Sequence, residues 1–257
     1  MTTRSGATIP SFDLAGRRAL ITGGSRGIGL AAAEALAAFG AHVTLLARPS
    51  ADLTAAVERL KAEGRSADAV ELDVNDTAGV RAAIAARDPY TVLVNNAGTN
   101  QPATFLEVTE AQYDTIMTLN VRAAYFVAQA VARRLVAVGR PGSIINVSSQ
   151  MGHVGAATRT VYCASKWAME GMTRAMAVDL APHGIRVNTL CPTFIETPLA
   201  SRFLAEEKFC REVLTKIKLG RLGQVGDLTG AIVYLASDAS ALMNGTSMII
   251  DGGWTAD

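Results

Sequence analysis

The chain has 257 residues, of which 49% are hydrophobic and 18% charged, and this composition excludes an intrinsically disordered protein. Its 24 basic and 23 acidic residues leave a net charge of +1, which excludes the basic surface expected of a protein that grips nucleic acid or an anionic membrane. There is no apolar stretch of about 18 residues that could cross a bilayer and no apolar signal segment near the start, so we expect a cytoplasmic protein.

Short aliphatic runs alternate with longer alanine-rich stretches of helical period, the pattern of βαβ units and a parallel sheet. In chain order, the pattern predicts strands over residues 18–22, 41–47, 67–72, 91–95, 143–148, 185–190 and 247–251. Helices are predicted over residues 27–39, 51–63, 77–87, 109–138, 161–180 and 227–237.

Residues 192–223 break this alternation with a connection far longer than an ordinary βα loop, and long connections of this kind often close over a site. We therefore expect a substrate lid over about 193–223. Because no Pro/Ser/Gly linker divides the chain, we expect one α/β domain over residues 1–257.

A glycine-rich turn, TGGSRGIG over residues 22–29, joins the first predicted strand to the first predicted helix. Glycines let the backbone turn sharply and let a helix N-terminus approach a pyrophosphate. The spacing G-x-x-x-G-x-G departs from the G-x-G-x-x-G fingerprint, and an ordinary tight connection is the alternative.

Two further motifs follow. Residues 95–98 (NNAG) end a strand with small side chains that would let a ligand lie against the sheet. Tyr162 and Lys166 lie four residues apart in a predicted helix, so the phenol and the ammonium share one helical face. A Tyr-x-x-x-Lys pair alone is weak evidence because it often arises by chance.

The three cysteines and three histidines fall in no CxxC, HExxH or HxH spacing, so neither a disulfide framework nor a metal site is predicted. These residues are Cys163, Cys191, Cys210, His42, His153 and His183.

Taken together and in order, TGGSRGIG, NNAG, a serine before the helix and YxxxK make the chain resemble the short-chain dehydrogenase/reductase family over essentially its whole length. Asp73, Asn120, Ser149 and the Asp251-Gly252-Gly253 segment fit the same pattern. The resemblance implies a doubly wound Rossmann-type domain, with a parallel sheet flanked by helices, that binds a nicotinamide dinucleotide at the carboxyl ends of the strands.

The resemblance also implies a catalytic tetrad of Asn120, Ser149, Tyr162 and Lys166. A cation about 5 Å from a phenol favours the phenolate by roughly 3 kcal/mol, so Lys166 is expected to lower the pKa of Tyr162 by about two units. Tyr162 would then exchange a proton with the substrate oxygen, and Ser149 would hold that oxygen. Asn120 would position a water, or else satisfy a helix irregularity.

Ser148 competes with Ser149 for the catalytic role because the two serines are adjacent. The family pattern places the serine thirteen positions before the tyrosine, which selects Ser149. Strand alternation is expected to send Ser148 to the opposite face.

NADP(H) is the preferred cofactor, and NAD(H) is the alternative. At the end of the second strand, where an NAD enzyme usually has a carboxylate that binds a ribose hydroxyl, this chain has Ala47. Arg26 and Arg48 could instead pair with a 2′-phosphate. The alternative is that both arginines are solvated surface residues. The implied cofactor-binding residues are Gly23, Ser25, Arg26, Gly27, Ile28, Gly29, Arg48, Asp73, Val74, Asn96, Ala97, Gly98, Tyr162, Lys166, Pro192, Ile195 and Thr197.

On the substrate side, Gln150, His153, Arg159 and Phe194 are predicted to line the pocket. Arg159 is a candidate ligand for a substrate carboxylate or phosphate, with a surface or subunit contact as the alternative. Thr193 stands where the family usually has glycine, which narrows the expected nicotinamide site.

The leading hypothesis is an NADP(H)-dependent alcohol dehydrogenase or carbonyl reductase that acts on a small secondary alcohol or ketone, including polyols and sugar acids. The alternatives are a 3-oxoacyl-[acyl-carrier-protein] reductase and a non-catalytic dinucleotide sensor. The family resemblance further implies a homo-oligomer, commonly a tetramer, that packs the helices over 109–138 and 161–180 against symmetry mates.

Overall fold

A computed structural model describes residues 9–198, 200–201 and 206–256. Seven parallel strands form one sheet in the order β3-β2-β1-β4-β5-β6-β7, so the predicted fold class is confirmed. The strands are β1 (Arg18–Thr22), β2 (His42–Ala47), β3 (Ala67–Glu71), β4 (Val92–Asn95), β5 (Gly142–Val147), β6 (Ile185–Pro192) and β7 (Ser247–Ile250).

The predicted helices all occur, with ends that shift by at most two residues except where noted below. They are α1 (Gly27–Ala38), α2 (Ala51–Ala62), α3 (Thr77–Ala85), α4 (Glu110–Met117), α5 (Ala124–Ala137), α6 (Thr160–Leu180), α7 (Glu207–Lys216) and α8 (Gly226–Ala236). No helix within the described ranges combines the length and the apolar character that crossing a bilayer demands.

Two predictions about the helices need correction. The single helix expected over 109–138 is interrupted by a π-helical turn, Thr118–Ala123, that separates α4 from α5. Such turns insert one extra residue per turn and commonly lie at functional sites. Helix α7 lies inside the connection that was expected to be irregular. Its sequence is charged and weakly apolar on average, but Phe209, Val213 and Leu214 fall on one helical face, a period that the sequence analysis missed.

Two apolar cores lie on opposite faces of the sheet. Leu20 packs in the core under α3 and α5, whereas its neighbour Ile21 packs in the core under α1, α2 and α8. Adjacent strand residues point to opposite faces, so a strand covered on both sides is apolar at most positions. This is why the strands read as continuous aliphatic runs rather than as alternating patterns.

Strand β1 lies between β2 and β4, and the direction in which strands are added reverses there. In open parallel sheets, the crevice at the carboxyl ends of the strands beside such a reversal is where ligands bind. The glycine-rich turn follows β1 and the NNAG segment follows β4, so both lie at this crevice.

Candidate active site

The glycine-rich turn is tied to the end of β4 by Asn96. Its Nδ2 donates to the carbonyl oxygens of Thr22 and Gly23 at 3.0 and 3.2 Å, and the Thr22 hydroxyl oxygen accepts from the backbone N–H groups of Asn96 and Ala97. A Cβ on Gly29 would lie 2.3 Å from the Gly23 oxygen and 2.5 Å from Asn96 Nδ2. Only glycine therefore allows α1 to approach the sheet this closely.

A cavity of about 1040 Å³ opens at the crevice, and most of the predicted cofactor residues line it. The residues concerned are Gly23, Ser25, Arg26, Gly27, Ile28, Arg48, Asp73, Val74, Asn96, Ala97, Gly98 and Thr197. Gly29 instead packs behind the turn, while Pro192 and Ile195 line a smaller adjoining cavity of about 160 Å³. The predicted set therefore falls in one continuous region.

The first turn of α1 fits the pyrophosphate of a dinucleotide. No side chain caps its N-terminus, and it carries no acidic residue, so its backbone N–H groups and positive dipole end are not neutralised locally. This uncapped end lies at the larger cavity, because Gly27 and Ile28 line it. A helix end with these properties binds anions without further help from side chains.

Arg26 and Arg48 lie exposed at the rim of the same cavity, and among the described residues neither forms an ion pair. Ala47 ends β2 without a carboxylate, and Glu71, its partner in register on β3, does not line the cavity. Asp52 does line it. The two guanidinium groups thus remain available to a phosphate group.

Tyr162 and Lys166 line the smaller cavity from α6, as the YxxxK spacing predicted. Lys166 Nζ lies 5.5 Å from the centre of the Tyr162 ring and donates to the Val147 carbonyl oxygen at 2.9 Å. The Ser149 hydroxyl donates to Gln150 Oε1 at 2.6 Å and accepts from the Met151 N–H, and the same side chain lies close enough to the Tyr162 phenol to act on its pKa. The structure therefore brings these three predicted tetrad residues together.

The pKa of Tyr162 is shifted in the direction opposite to the one expected from the sequence. Burial raises the pKa of Tyr162 to about 12, against the smaller opposing effect of the Ser149 hydrogen bond. Burial also lowers the pKa of Lys166 to about 8, although the neighbouring Cys191 and Glu170 act to raise it. Desolvation is the largest cause of both shifts, and Lys166 is not among the groups that act on the Tyr162 pKa, so Tyr162 is a protonated phenol, the state of a proton donor.

Asn120 lies buried in the π-helical turn, where its side chain satisfies the loop after β4. Its Oδ1 accepts from the Thr99 N–H at 2.8 Å, and its Nδ2 donates to the Thr99 carbonyl oxygen and to Ser165 Oγ at 2.9 and 3.1 Å. The Ser165 hydroxyl donates in turn to the Tyr162 carbonyl oxygen. The expected helix irregularity is thus present, the water-positioning role stays a prediction, and Ser165 is a linking residue that the sequence reasoning missed.

The predicted substrate residues divide into two pairs. Gln150 and Phe194 line the smaller cavity. His153 and Arg159 do not: His153 turns toward Cys191, while Arg159 is buried with its guanidinium 5.6 Å from the centre of the Phe209 ring. The charge of Arg159 nevertheless acts on the Tyr162 phenol and lowers its pKa, so the guanidinium lies near that phenol.

Three polar residues of the smaller cavity were assigned no substrate role from the sequence. Ser148 lines it, contrary to the expectation from strand alternation, because β5 ends at Val147 and the alternation ends with it. Asn100 Oδ1 and Thr193 Oγ1 are buried atoms that have no hydrogen-bond partner among the described residues. Buried polar atoms are normally paired, so these two fit a ligand that offers hydroxyl or amide groups.

An aromatic cluster covers one side of this cavity. Phe194 stacks on Trp254 and meets Phe209 edge-on, each pair of ring centres being 5.7 Å apart. These contacts join the segment after β6 to α7 and to the end of the described chain. Parts of the predicted lid, residues 199 and 202–205, lie outside the described residues, and the lid itself stays a prediction.

Lys166→Met is expected to remove a pH dependence of stability. The pKa of Lys166 is about 8 in the folded chain and 10.5 ordinarily, so between these values the unfolded chain holds more protons and the free energy of unfolding rises with pH. The slope from this group is at most about 1.4 kcal/mol per pH unit. Urea unfolding of the wild type, Lys166→Met and the surface control Lys61→Met across this range measures it; equal slopes in the wild type and Lys166→Met would contradict the assignment.

Comparison with known proteins places this site in a family. A profile of the family described as Enoyl-(Acyl carrier protein) reductase matches residues 23–255. L-Xylulose reductase of Bos taurus is 40% identical over 243 residues, 95% of this chain and 98% of the bovine chain. Gluconate 5-dehydrogenase of Gluconobacter oxydans is 40% identical over 248 residues, 95% of this chain and 96% of its own.

A crystal structure of a gluconate 5-dehydrogenase from Burkholderia cenocepacia, in complex with NADP and tartrate, superposes with a TM-score of 0.91 at 38% identity, covering 96% of this chain and 98% of that chain. The chain therefore belongs to the short-chain dehydrogenase/reductase family and is an oxidoreductase, as its motifs predicted.

Proposed function

We propose that this protein is an NADP(H)-dependent reductase that interconverts a small hydroxylated ketone and the corresponding secondary alcohol, of the polyol or sugar-acid type. The observation that carries the proposal is the position of the Tyr162 phenol. It lines the smaller cavity near Ser149, and that cavity shares Ile28, Asn96 and Gly98 with the larger one. A substrate in one cavity would therefore lie against a dinucleotide in the other.

The roles of the side chains follow from their protonation and contacts. The nicotinamide, when bound, supplies or accepts the hydride. Tyr162, held as a phenol by burial, donates its proton to the substrate oxygen as negative charge develops there. Ser149 hydrogen-bonds the same oxygen, and Lys166, fixed by the Val147 carbonyl oxygen, stabilises the phenolate that remains. In the reverse direction, Tyr162 has to lose its proton first, so oxidation is favoured at higher pH than reduction.

Tyr162→Phe is expected to lower kcat by about a hundredfold or more, because a positioned general acid contributes about 10²–10⁴ to the rate. NADPH binding, followed by fluorescence, should change little, because Tyr162 lines the smaller cavity and the lining of the larger cavity stays intact. The assay uses NADPH with ketoses, keto-acids, polyols and acetoacetyl thioesters, and Tyr113→Phe, on the exposed face of α4, is the matched control.

Each alternative gives a different outcome in this assay. A fully active Tyr162→Phe protein would refute the mechanism. Turnover of acetoacetyl thioesters but not of hydroxylated ketones would establish the carrier-protein reductase. NADPH binding by the wild type with no turnover of any of these compounds would favour the dinucleotide sensor.

The preference for NADP(H) rests on Arg26 and Arg48 at the cavity rim and on the lack of a carboxylate at Ala47. A 2′-phosphate offers a guanidinium a charge-assisted and bidentate partner, whereas a 2′-hydroxyl does not. The related gluconate 5-dehydrogenase from Burkholderia cenocepacia was solved with NADP, which supports the same choice.

Arg48→Ala is expected to weaken NADPH binding by about tenfold or more, since a hydrogen bond to a charged group is worth about 1.5–3 kcal/mol. NADH binding should stay within about twofold, because no 2′-phosphate is lost from it. Fluorescence titration with both cofactors measures the ratio, and the exposed Arg65 gives the matched control Arg65→Ala. A wild-type KM for NADH at or below that for NADPH would overturn the preference.

A polyol or sugar-acid substrate is supported by the smaller cavity and by the relatives. Its volume, about 160 Å³, suits a short carbon chain, and the unpaired Asn100 Oδ1 and Thr193 Oγ1 suit hydroxyl groups. L-Xylulose reductase and gluconate 5-dehydrogenase are among the chains to which this one is similar. Gluconate carries a carboxylate and L-xylulose does not, so these two relatives differ in the charge of the substrate they are named for.

Arg159 favours the carboxylate-bearing class because, although it does not line the smaller cavity, its positive charge lies close enough to act on the Tyr162 phenol that does. We expect Arg159→Gln to raise KM for a keto-acid of the gluconate type by about tenfold, since a guanidinium–carboxylate pair is lost, with little change for a neutral ketose. Steady-state kinetics on both substrates, with the exposed Arg174→Gln as control, tests this. Equal increases in KM for both substrates would show that Arg159 only supports the fold of the site.

The cellular setting and the assembly are further parts of the proposal. Free Cys163, Cys191 and Cys210 suit the reducing cytoplasm. Tyr125 on α5 and Trp167 on α6 are large and substantially exposed, which suits helices that pack against a second copy in a homo-oligomer such as a tetramer.

A further inference from the structure

Three potential metal ligands converge beside the active site and outside both cavities. His153 follows the short turn after Ser149, Glu170 lies one helical turn beyond Lys166 on α6, and Cys191 lies on β6. His153 Nε2 is 3.4 Å from Cys191 Sγ and 3.8 Å from Glu170 Oε1, and Sγ is 3.3 Å from Oε1. Three donors from three separate elements thus form a small triangle.

The size of this triangle matches a tetrahedral metal site. Zinc lies about 2.0–2.3 Å from imidazole nitrogen, carboxylate oxygen and thiolate sulfur, so neighbouring ligand atoms are about 3.3–3.7 Å apart. The observed edges fall in or next to this range, and they need no rearrangement of the backbone. The donor set, one nitrogen, one sulfur and one oxygen, is also one that zinc accepts and that harder cations do not prefer.

The carboxylate of Glu170 is already oriented for such a role. Its Oε2 accepts from Thr189 Oγ1 at 2.9 Å and from Ser247 Oγ at 2.6 Å. Oε1 is left to face Cys191 and His153. Outer hydrogen bonds that fix one carboxylate oxygen while the other faces the ion are the usual second shell of a protein metal site.

Gly152 brings the turn that carries His153 close to α6. A Cβ at this position would lie 3.1 Å from Glu170 Cγ, 3.2 Å from the Lys166 carbonyl oxygen and 3.0 Å from Ser148 Oγ. A larger residue would push the turn outward and separate His153 from the other two donors. The partial exposure of the His153 side chain, about 20%, leaves one side of the triangle open to an entering ion.

We propose that His153, Glu170 and Cys191 form a binding site for a thiophilic divalent cation, of the Zn²⁺ type. On binding, the Cys191 thiol loses its proton to solvent, and the thiolate and the Glu170 carboxylate together balance the two positive charges of the ion. A site with no net charge is tolerated at low exposure, where an unpaired charge is not. A water completes the tetrahedron on the open side.

Cobalt(II) is the probe of choice, because a thiolate bound to Co²⁺ gives a near-ultraviolet charge-transfer absorption that histidine and carboxylate ligands alone do not give. The full-length protein is freed of metal with a chelator and titrated with Co²⁺. We expect one Co²⁺ per chain with this absorption, and we expect Zn²⁺ to displace it and to raise the Tm, since an ion that binds only the folded chain stabilises it.

Variants locate the site. Cys191→Ser should abolish the thiolate absorption, and His153→Ala should weaken Co²⁺ binding by about tenfold or more. Cys163→Ser and Cys210→Ser are the matched controls and should leave both measurements unchanged. His153 lies in a partly exposed turn, so His153→Ala keeps the test decisive if the Cys191 variant fails to fold.

The proposal is overturned if Co²⁺ fails to bind, if it binds without the thiolate absorption, or if that absorption survives in Cys191→Ser. In each of those cases, the cluster is a hydrogen-bonded network that supports Lys166. None of these measurements requires NADPH or turnover, so they are independent of the proposed enzymatic function.

Discussion

The close approach of α1 to the end of β4 is the contact on which the site depends. Asn96 bonds the carbonyl oxygens of Thr22 and Gly23, and Gly29 packs where no Cβ fits. This fixes the uncapped end of α1 beside the strand at which the sheet order reverses. A dinucleotide bound with its pyrophosphate at this junction would run from it along the carboxyl ends of the strands, so the placement of its other parts would depend on the same contact.

At the other end of the crevice, desolvation determines the protonation of Tyr162 and Lys166. Two titratable groups, the half-buried Tyr162 and the buried Lys166, lie 5.5 Å apart between ring centre and Nζ, and desolvation favours the neutral form of each. The surrounding structure compensates Lys166 with the Val147 carbonyl oxygen and the nearby Glu170 carboxylate. Burial therefore keeps the proton on the Tyr162 phenol and makes the charge of Lys166 depend on the groups beside it.

The sequence predicted the parts of the molecule that local rules govern. Apolar runs such as the one containing Leu20 and Ile21 imply strands buried on both faces, and YxxxK spacing places Tyr162 and Lys166 together. The sequence could not predict contacts between distant segments. Asn120 binds the Thr99 backbone from a π-helical turn, although the sequence around Asn120 contains no residue that breaks a helix. The placement of His153 beside Glu170 and Cys191, and the burial that reverses the expected shift of the tyrosine pKa, likewise depend on tertiary packing.

The loop before α6 shows how strain can serve the substrate side. Thr158 has a φ of 57°, the one positive value at a non-glycine residue in the described ranges, and a β-branched side chain disfavours it by about 1–3 kcal/mol. Its carbonyl oxygen accepts from the Ala103 N–H and from Arg159 Nη1, and its hydroxyl oxygen accepts from Nη1 at 2.7 Å. These bonds offset the strain and hold the Arg159 guanidinium under Phe209, near Tyr162. The strained turn therefore helps to fix a positive charge that acts on the Tyr162 phenol.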